Sequence, residues 1–185
     1  VTVIVREAGK QLIHVIDNGS GMSKRDLELS VIRHATSKNS TEEDRHAIRT
    51  LGFRGEAMAS IAAISDVEIR TRRGDDETGW TLLSRPGQAP EIRASATDIG
   101  TQVLVRTLFY NVPARRKFLK ADLTEFRHVS ETMQRMALSR PDVRFVFYDN
   151  QSLVFDVRPG DLKRRIADIL SLDASRALVP VEMSE

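Results

Sequence analysis

Apolar and polar side chains alternate from the first residue. Val1, Val3 and Val5 share one side, Thr2, Ile4 and Arg6 the other. Ala8-Gly9-Lys10 then turns the chain into a second alternating run at 12–16. Period-two alternation about a glycine turn predicts a β-hairpin. The return run passes straight into Asp17-Asn18-Gly19-Ser20-Gly21, which is loop chemistry. Ser23 followed by Asp26 resembles a capping box and predicts a helix to about residue 33. Residues 34–52 are polar and charged, and they predict a long surface loop with a short helix near 42–49. The Ala-, Ile- and Met-rich run at 56–64 predicts a buried helix.

Further along, the pattern returns to strands at 67–72, 80–83 and 101–107, with a turn-rich connection at 74–79. Pro113 breaks the chain after Asn111. Phe126, Val129, Met133, Met136 and Ala137 recur at helical spacing within 122–139, and Pro141 ends that helix. A second hairpin is predicted over 143–157, turning at Asp149-Asn150-Gln151, and a last helix over 162–170. Hairpins, helices and antiparallel strands in this mixed order indicate an α+β fold.

Composition adds limits. The chain has 185 residues with 41% hydrophobic side chains, enough for a packed core and one domain, or one domain and the start of another. Apolar runs are too short to cross a membrane. With no cysteine, disulfides and thiol catalysis are excluded. The net charge of +2 says little about partners. Two basic clusters stand out: Arg115, Arg116, Lys117 and Lys120, and Lys163-Arg164-Arg165. Both read first as solvated surface and second as a DNA-binding face.

Three segments carry candidate chemistry. At Asp17-Asn18-Gly19-Ser20-Gly21-Met22, a carboxylate at a strand end can accept a hydrogen bond from an exocyclic amine, such as that of adenine; guanine offers a carbonyl there. Gly19 and Gly21 would admit a ligand ring beside the backbone. Taken alone, so short a segment reads more readily as a turn. In Arg33-His34-Ala35-Thr36-Ser37-Lys38, hydroxyls and an ammonium suit phosphate oxygens. His34 by itself is more often structural, and Lys38 by itself a solvated lysine. In Gly52-Phe53-Arg54-Gly55-Glu56-Ala57-Met58, glycines frame an arginine and a helix begins directly after, an arrangement suited to anions. A loop-to-helix junction explains Glu56 but not the glycine spacing. No P-loop, dinucleotide fingerprint, nucleophile elbow or metal-ligand spacing is present.

In this order the segments resemble the MutL family of DNA mismatch repair proteins, which are GHKL ATPases with the Bergerat nucleotide fold. The Asp17 segment resembles the adenine motif. Arg33 to Lys38 and Gly52 to Met58 resemble the two anchors of an ATP lid. Gly100-Thr101 resembles the final nucleotide motif, and the run from Leu108 to Lys120 a stretch typical of the family. The resemblance implies an ATP site with Asp17 on the adenine amine, supported by Thr101 through water. Gly19, Gly21 and Met22 would line the base. His34, Thr36, Ser37, Lys38, Gly52, Phe53, Arg54, Gly55, Glu56, Ala57 and Met58 would lie on the lid and phosphates.

The cofactors implied are ATP and Mg²⁺. The resemblance places the general-base glutamate and magnesium-binding asparagine on a helix ahead of Val1. It therefore implies no turnover by these 185 residues alone and no catalytic role for Glu56. Residues 1–121 would form the ATPase domain without that helix, 122–140 a connecting helix, and 141–185 the start of a second, S5-like transducer domain. Implied partners are a second ATPase head (homodimer or paralogue heterodimer), the mismatch-recognition protein MutS, and DNA, bound weakly and salt-dependently; no membrane is implied. The setting would be cytoplasmic if bacterial and nuclear if eukaryotic. A non-catalytic nucleotide-binding or dimerisation module is the alternative.

Overall fold

The computed structural model describes residues 1–32 and 56–173. Eight strands form one sheet: β1 (Thr2–Arg6), β2 (Leu12–Asp17), β3 (Asp66–Arg72), β4 (Gly79–Ser84), β5 (Glu91–Ser95), β6 (Gly100–Arg106), β7 (Phe145–Asp149) and β8 (Ser152–Val157). Their spatial order is β5-β4-β3-β6-β2-β1-β7-β8. Neighbours pair antiparallel, except β1 and β7, which run parallel. The helices are α1 (Lys24–Ser30), α2 (Ala57–Ala62), α3 (Pro113–Arg116), α4 (Asp122–Ser139) and α5 (Leu162–Ile169). This is the expected α+β class, with helices gathered on one side of a mixed sheet.

The alternation read from the sequence decides which side. Val3 and Val5 stand opposite Val15 and Ile13, and Val103 and Val105 continue the row across β6 to Ile69 and Val67. These positions form two separate clusters. One joins Val3, Val5, Phe145, Phe147 and Val157 to Met133 and Ala137 of α4. The other joins Val67, Ile69, Leu82 and Val105 to Leu27 of α1 and Ala62 of α2. Between them runs the central strand β2, and all six of its residues are only half-buried. A central strand is ordinarily the best covered of a sheet, yet here Ile13 packs against both clusters and Val15 against the first while staying only half-buried.

Two elements differ from what the sequence pattern predicts. Strand β5 escaped the pattern because an edge strand packed on one face leaves Glu91 and Arg93 exposed and carries little apolar signal. Pro113 does not merely break the chain; it opens the short helix α3, where its missing N–H costs nothing. The β7–β8 hairpin joins the same sheet through four parallel pairs from Thr2↔Val146 to Val5↔Asp149. Helix α4 packs on that sheet through Met133 and Ala137.

On the open face, Glu68 is buried and receives hydrogen bonds from Arg70 Nε (2.6 Å) and Arg106 Nη1 (2.9 Å). Burial pushes its carboxyl up, but the two guanidiniums together outweigh burial and hold it below the usual 4.5. A depressed folded pKa contributes stability above the unfolded value and loses it as pH falls through the folded one. Glu68→Gln is therefore expected to destabilise at pH 7 by about 1–3 kcal/mol, since bonds to charged groups contribute on that scale. The gap between variant and parent should narrow as pH drops below 4.5. Urea unfolding at pH 7 and at about pH 3.5 checks this; a gap that widens in acid refutes it.

Candidate nucleotide site

The candidate site forms where β2, β6 and β3 end together. Asp17 is the last residue of β2, stands opposite Thr101 of β6, and Thr101 stands opposite Thr71 of β3. Direct partners share a face, so all three side chains point to the helix side, at the end of the half-buried strand β2. The Asp17 carboxylate accepts the Gly19 amide at Oδ1 (2.8 Å), an Asx-turn that orients the side chain and leaves Oδ2 for a ligand.

Two glycines hold this corner together. Gly21 has φ +70, and a Cβ there would run into the Arg72 carbonyl. Gly100 has φ +113, and a Cβ would meet the Asp17 carbonyl. The glycine of the motif thus lets the loop lie against β3, and Gly100 lets β6 approach the end of β2.

Next in the chain, the Met22 amide donates to Thr71 Oγ1 at 2.8 Å. Thr71 is fully buried, and its hydroxyl also contacts the Gly100 carbonyl (3.0 Å) and Thr101 Oγ1 (3.2 Å). Thr71 was not singled out by sequence reasoning. Its alternation within 67–72 placed it on the core side, yet a threonine among valines and isoleucines there is a polar exception, and that exception was the available signal.

Helix α1 begins as predicted. Ser23 Oγ accepts the Asp26 amide at 3.1 Å and donates to the Asp26 carboxylate at 2.7 Å. It ends at Ser30, sooner than expected. Met22 and Met58 both pack against the cluster around Leu27, Ala62 and Val67, so the adenine-motif loop and the start of α2 sit on one side of the sheet. Glu56 occupies the N-cap of α2; its side chain makes no capping bond, and its carbonyl accepts from the Ser60 amide (2.9 Å). Ala57 opens the helix and is exposed. His34, Thr36, Ser37, Lys38, Gly52, Phe53, Arg54 and Gly55 lie outside the described residues.

The family-typical stretch after β6 turns back onto α2. The Phe109 amide donates to the Ile64 carbonyl (2.8 Å) and Asn111 Nδ2 to the Ala63 carbonyl (3.0 Å), closing the C-terminal end of that helix. Arg115, Arg116, Lys117 and Lys120 are exposed, in keeping with solvated surface. The other basic cluster divides. Arg164 is exposed, lying 3.9 Å from Asp168, whereas Arg165 is buried and serves the core.

A groove of about 390 Å³ curls round the same strand ends. Its walls include Asp17, Asn18, Gly100 and Thr101, but also Thr2, Ile16, Gln102 and Val146 from the open face. The register puts the Asp17 and Thr101 side chains on the helix side. Among the described residues, no group of His, Asp and Glu has the arrangement of a metal site, and no helix is long and apolar enough to cross a membrane.

Similarity to known proteins agrees with this geometry. Residues 1–87 match the family described as histidine kinase-, DNA gyrase B-, and HSP90-like ATPase. The chain is 47% identical over 179 residues to the DNA mismatch repair protein MutL of Porphyromonas gingivalis, covering 97% of this chain and 29% of that protein. It is 46% identical over 183 residues to MutL of Syntrophotalea carbinolica, covering 98% and 29%. The chain thus spans under a third of these relatives' length. Among solved structures it superposes on the Aquifex aeolicus MutL ATPase domain complexed with ADP, with TM-score 0.72, 28% identity, and coverage of 91% of this chain and 59% of that one. The N-terminal domain of a DNA repair protein shares the fold, with TM-score 0.79 at 24% identity, over 98% of this chain and 54% of that one.

Proposed function

Starting from a chain that belongs to the MutL family of GHKL-type mismatch repair ATPases, we propose that these residues form the adenine-recognising part of an ATP switch. The observation that carries the reading is the pairing of Asp17 with Thr101 at the end of the half-buried strand β2, braced by Gly21 and Gly100. The ADP bound to the Aquifex aeolicus domain supports it. Asp17 Oδ2 accepts from the adenine amine. Thr101 supports that contact through water, and Gly19, Gly21 and Met22 line the base. Thr36, Ser37, Lys38 and the lid anchor from Gly52 to Met58, with His34, Phe53, Arg54, Gly55, Glu56 and Ala57, hold or cover the phosphates.

Magnesium, when bound with ATP, neutralises phosphate charge; its ligand and the general base come from the family's first motif rather than from Asp17 or Glu56. We further infer that lid ordering joins two ATPase heads and signals between MutS-type recognition and strand processing, with weak, salt-dependent contact to DNA.

In the full-length protein, Asp17→Asn is expected to weaken ATP binding at least 30-fold, because the amide offers the amine a poorer and ambiguous partner. Slow magnesium-dependent hydrolysis should disappear with it. Equilibrium titration with a fluorescent ATP analogue, alongside phosphate release, measures both. Binding that survives Asp17→Asn unchanged would sink the adenine assignment. Binding without any turnover in the parent would favour a non-catalytic nucleotide module instead.

A further inference from the structure

We infer that Thr71 is a positioning residue that sets base specificity by fixing which way the Thr101 hydroxyl points. The inference rests on the adenine-nucleotide reading above. A hydroxyl has one hydrogen to give and two lone pairs to offer. Thr71 Oγ1 receives the Met22 amide at 2.8 Å, so one lone pair is taken. Its hydrogen has two candidate acceptors, the Gly100 carbonyl at 3.0 Å and Thr101 Oγ1 at 3.2 Å. The carbonyl is nearer and is the stronger acceptor, so it takes the hydrogen. The 3.2 Å contact between the two hydroxyls is then attractive only with Thr101 as donor. Thr71 is fully buried, so no solvent competes for this arrangement.

The consequence reaches the ligand. With its hydrogen turned inward to Thr71, Thr101 Oγ1 presents lone pairs outward. Asp17 also presents an acceptor, since Oδ1 is held by the Gly19 amide and Oδ2 carries only lone pairs. Two acceptors side by side match the two hydrogens of an amino group, taken directly or through one water. They repel a carbonyl in the same place. The fixed chain from Met22 through Thr71 to Thr101 therefore makes the site an amino-group reader, which distinguishes a 6-aminopurine from a 6-oxopurine. Without Thr71, the Thr101 hydroxyl is free to rotate and donate outward, and a carbonyl becomes tolerable.

The test compares ATP with ITP, which differ at this position of the base, by competition against a fluorescent ATP analogue on the full-length protein. Thr71→Val, which keeps the shape and removes the hydroxyl, is expected to lower the ATP-to-ITP affinity ratio at least fivefold. Thr71→Ser, which keeps the hydroxyl, should hold the ratio within about twofold of the parent. A general loss of fold would weaken both nucleotides alike and leave the ratio unmoved, so a folded Thr71→Val with an unchanged ratio overturns the role. If Thr71→Val does not fold, Thr101→Val carries the test, because it removes the outward lone pairs directly. A ratio unchanged in Thr101→Val overturns the inference equally. Failure of the unaltered protein to bind either nucleotide sinks the adenine-nucleotide reading itself, a result distinct from binding with an unaltered preference.

Discussion

Arg165→Met is expected to destabilise the folded chain by about 3–5 kcal/mol, the scale for removing one partner of a buried charged network. Arg165 is 1% exposed, and among the described residues it makes no carboxylate hydrogen bond. Its guanidinium donates instead to five carbonyls. Nη1 reaches Ala137 (2.5 Å) and Arg140 (3.2 Å); Nη2 reaches Pro141 (3.1 Å), Val143 (2.7 Å) and Arg158 (3.0 Å). These carbonyls close the end of α4 and the two approaches to the β7–β8 hairpin. One side chain therefore joins α5, α4 and the parallel edge of the sheet beside β1.

Methionine fills the space but removes the guanidinium from the Ala137, Val143 and Arg158 carbonyls, at a penalty of about 1–3 kcal/mol each before relaxation, while the Arg140 and Pro141 carbonyls keep the Val143 and Gly160 amides. Arg165→Lys should recover little, since three donors on one nitrogen cannot span a set that the planar fork reaches from two. Denaturant unfolding of both variants checks the magnitude, and hydrogen exchange should show the β7–β8 hairpin opening first. A methionine variant within 1 kcal/mol of the parent contradicts this account.

Gly100→Ala is expected to be comparably damaging and to abolish nucleotide binding as well. At φ +113 an L side chain is strained by about 1–3 kcal/mol. The new Cβ also meets the Asp17 carbonyl, which is backbone and cannot rotate aside. β6 must then move away from β2, and the Asp17–Thr101 pairing moves with it. An internal control exists in Gly87, at φ +77 with nothing within 4 Å of its would-be Cβ. Gly87→Ala should show the conformational strain alone and leave nucleotide affinity intact. Unfolding free energies and nucleotide titrations on the two variants separate strain from displacement. Equal losses in both would mean that the close approach at Gly100 contributes nothing.

Much of the site was legible because its signals are local. Asp17 at the end of an alternating strand, the glycines after it, the Ser23 cap and the Gly100-Thr101 pair each need only neighbouring residues to be recognised. Thr71 was not legible in the same way. Its importance comes from Met22 and Gly100, which lie 49 and 29 positions away. Arg165 misled for the opposite reason. Within Lys163-Arg164-Arg165 it is one cation of three, and helical geometry alone turns it inward while Arg164 faces out. His14 is similar: burial, the largest influence, holds its imidazole below the usual 6.5 against the pull of Gln102, and that burial is a property of the assembled sheet.

Period-two alternation, turn residues and helix caps were enough to determine the strands other than β5, most of the helices and the α+β class. These follow from forces acting over a few residues, where side-chain direction and backbone preference are set. Tertiary structure alone decided that β7 lies parallel to β1, that 141–157 extends the main sheet, and that Thr71 links the motif loop to Thr101. Each of these depends on pairing between distant segments, and hydrogen bonds across a sheet carry no mark in the sequence of which strand will be the neighbour.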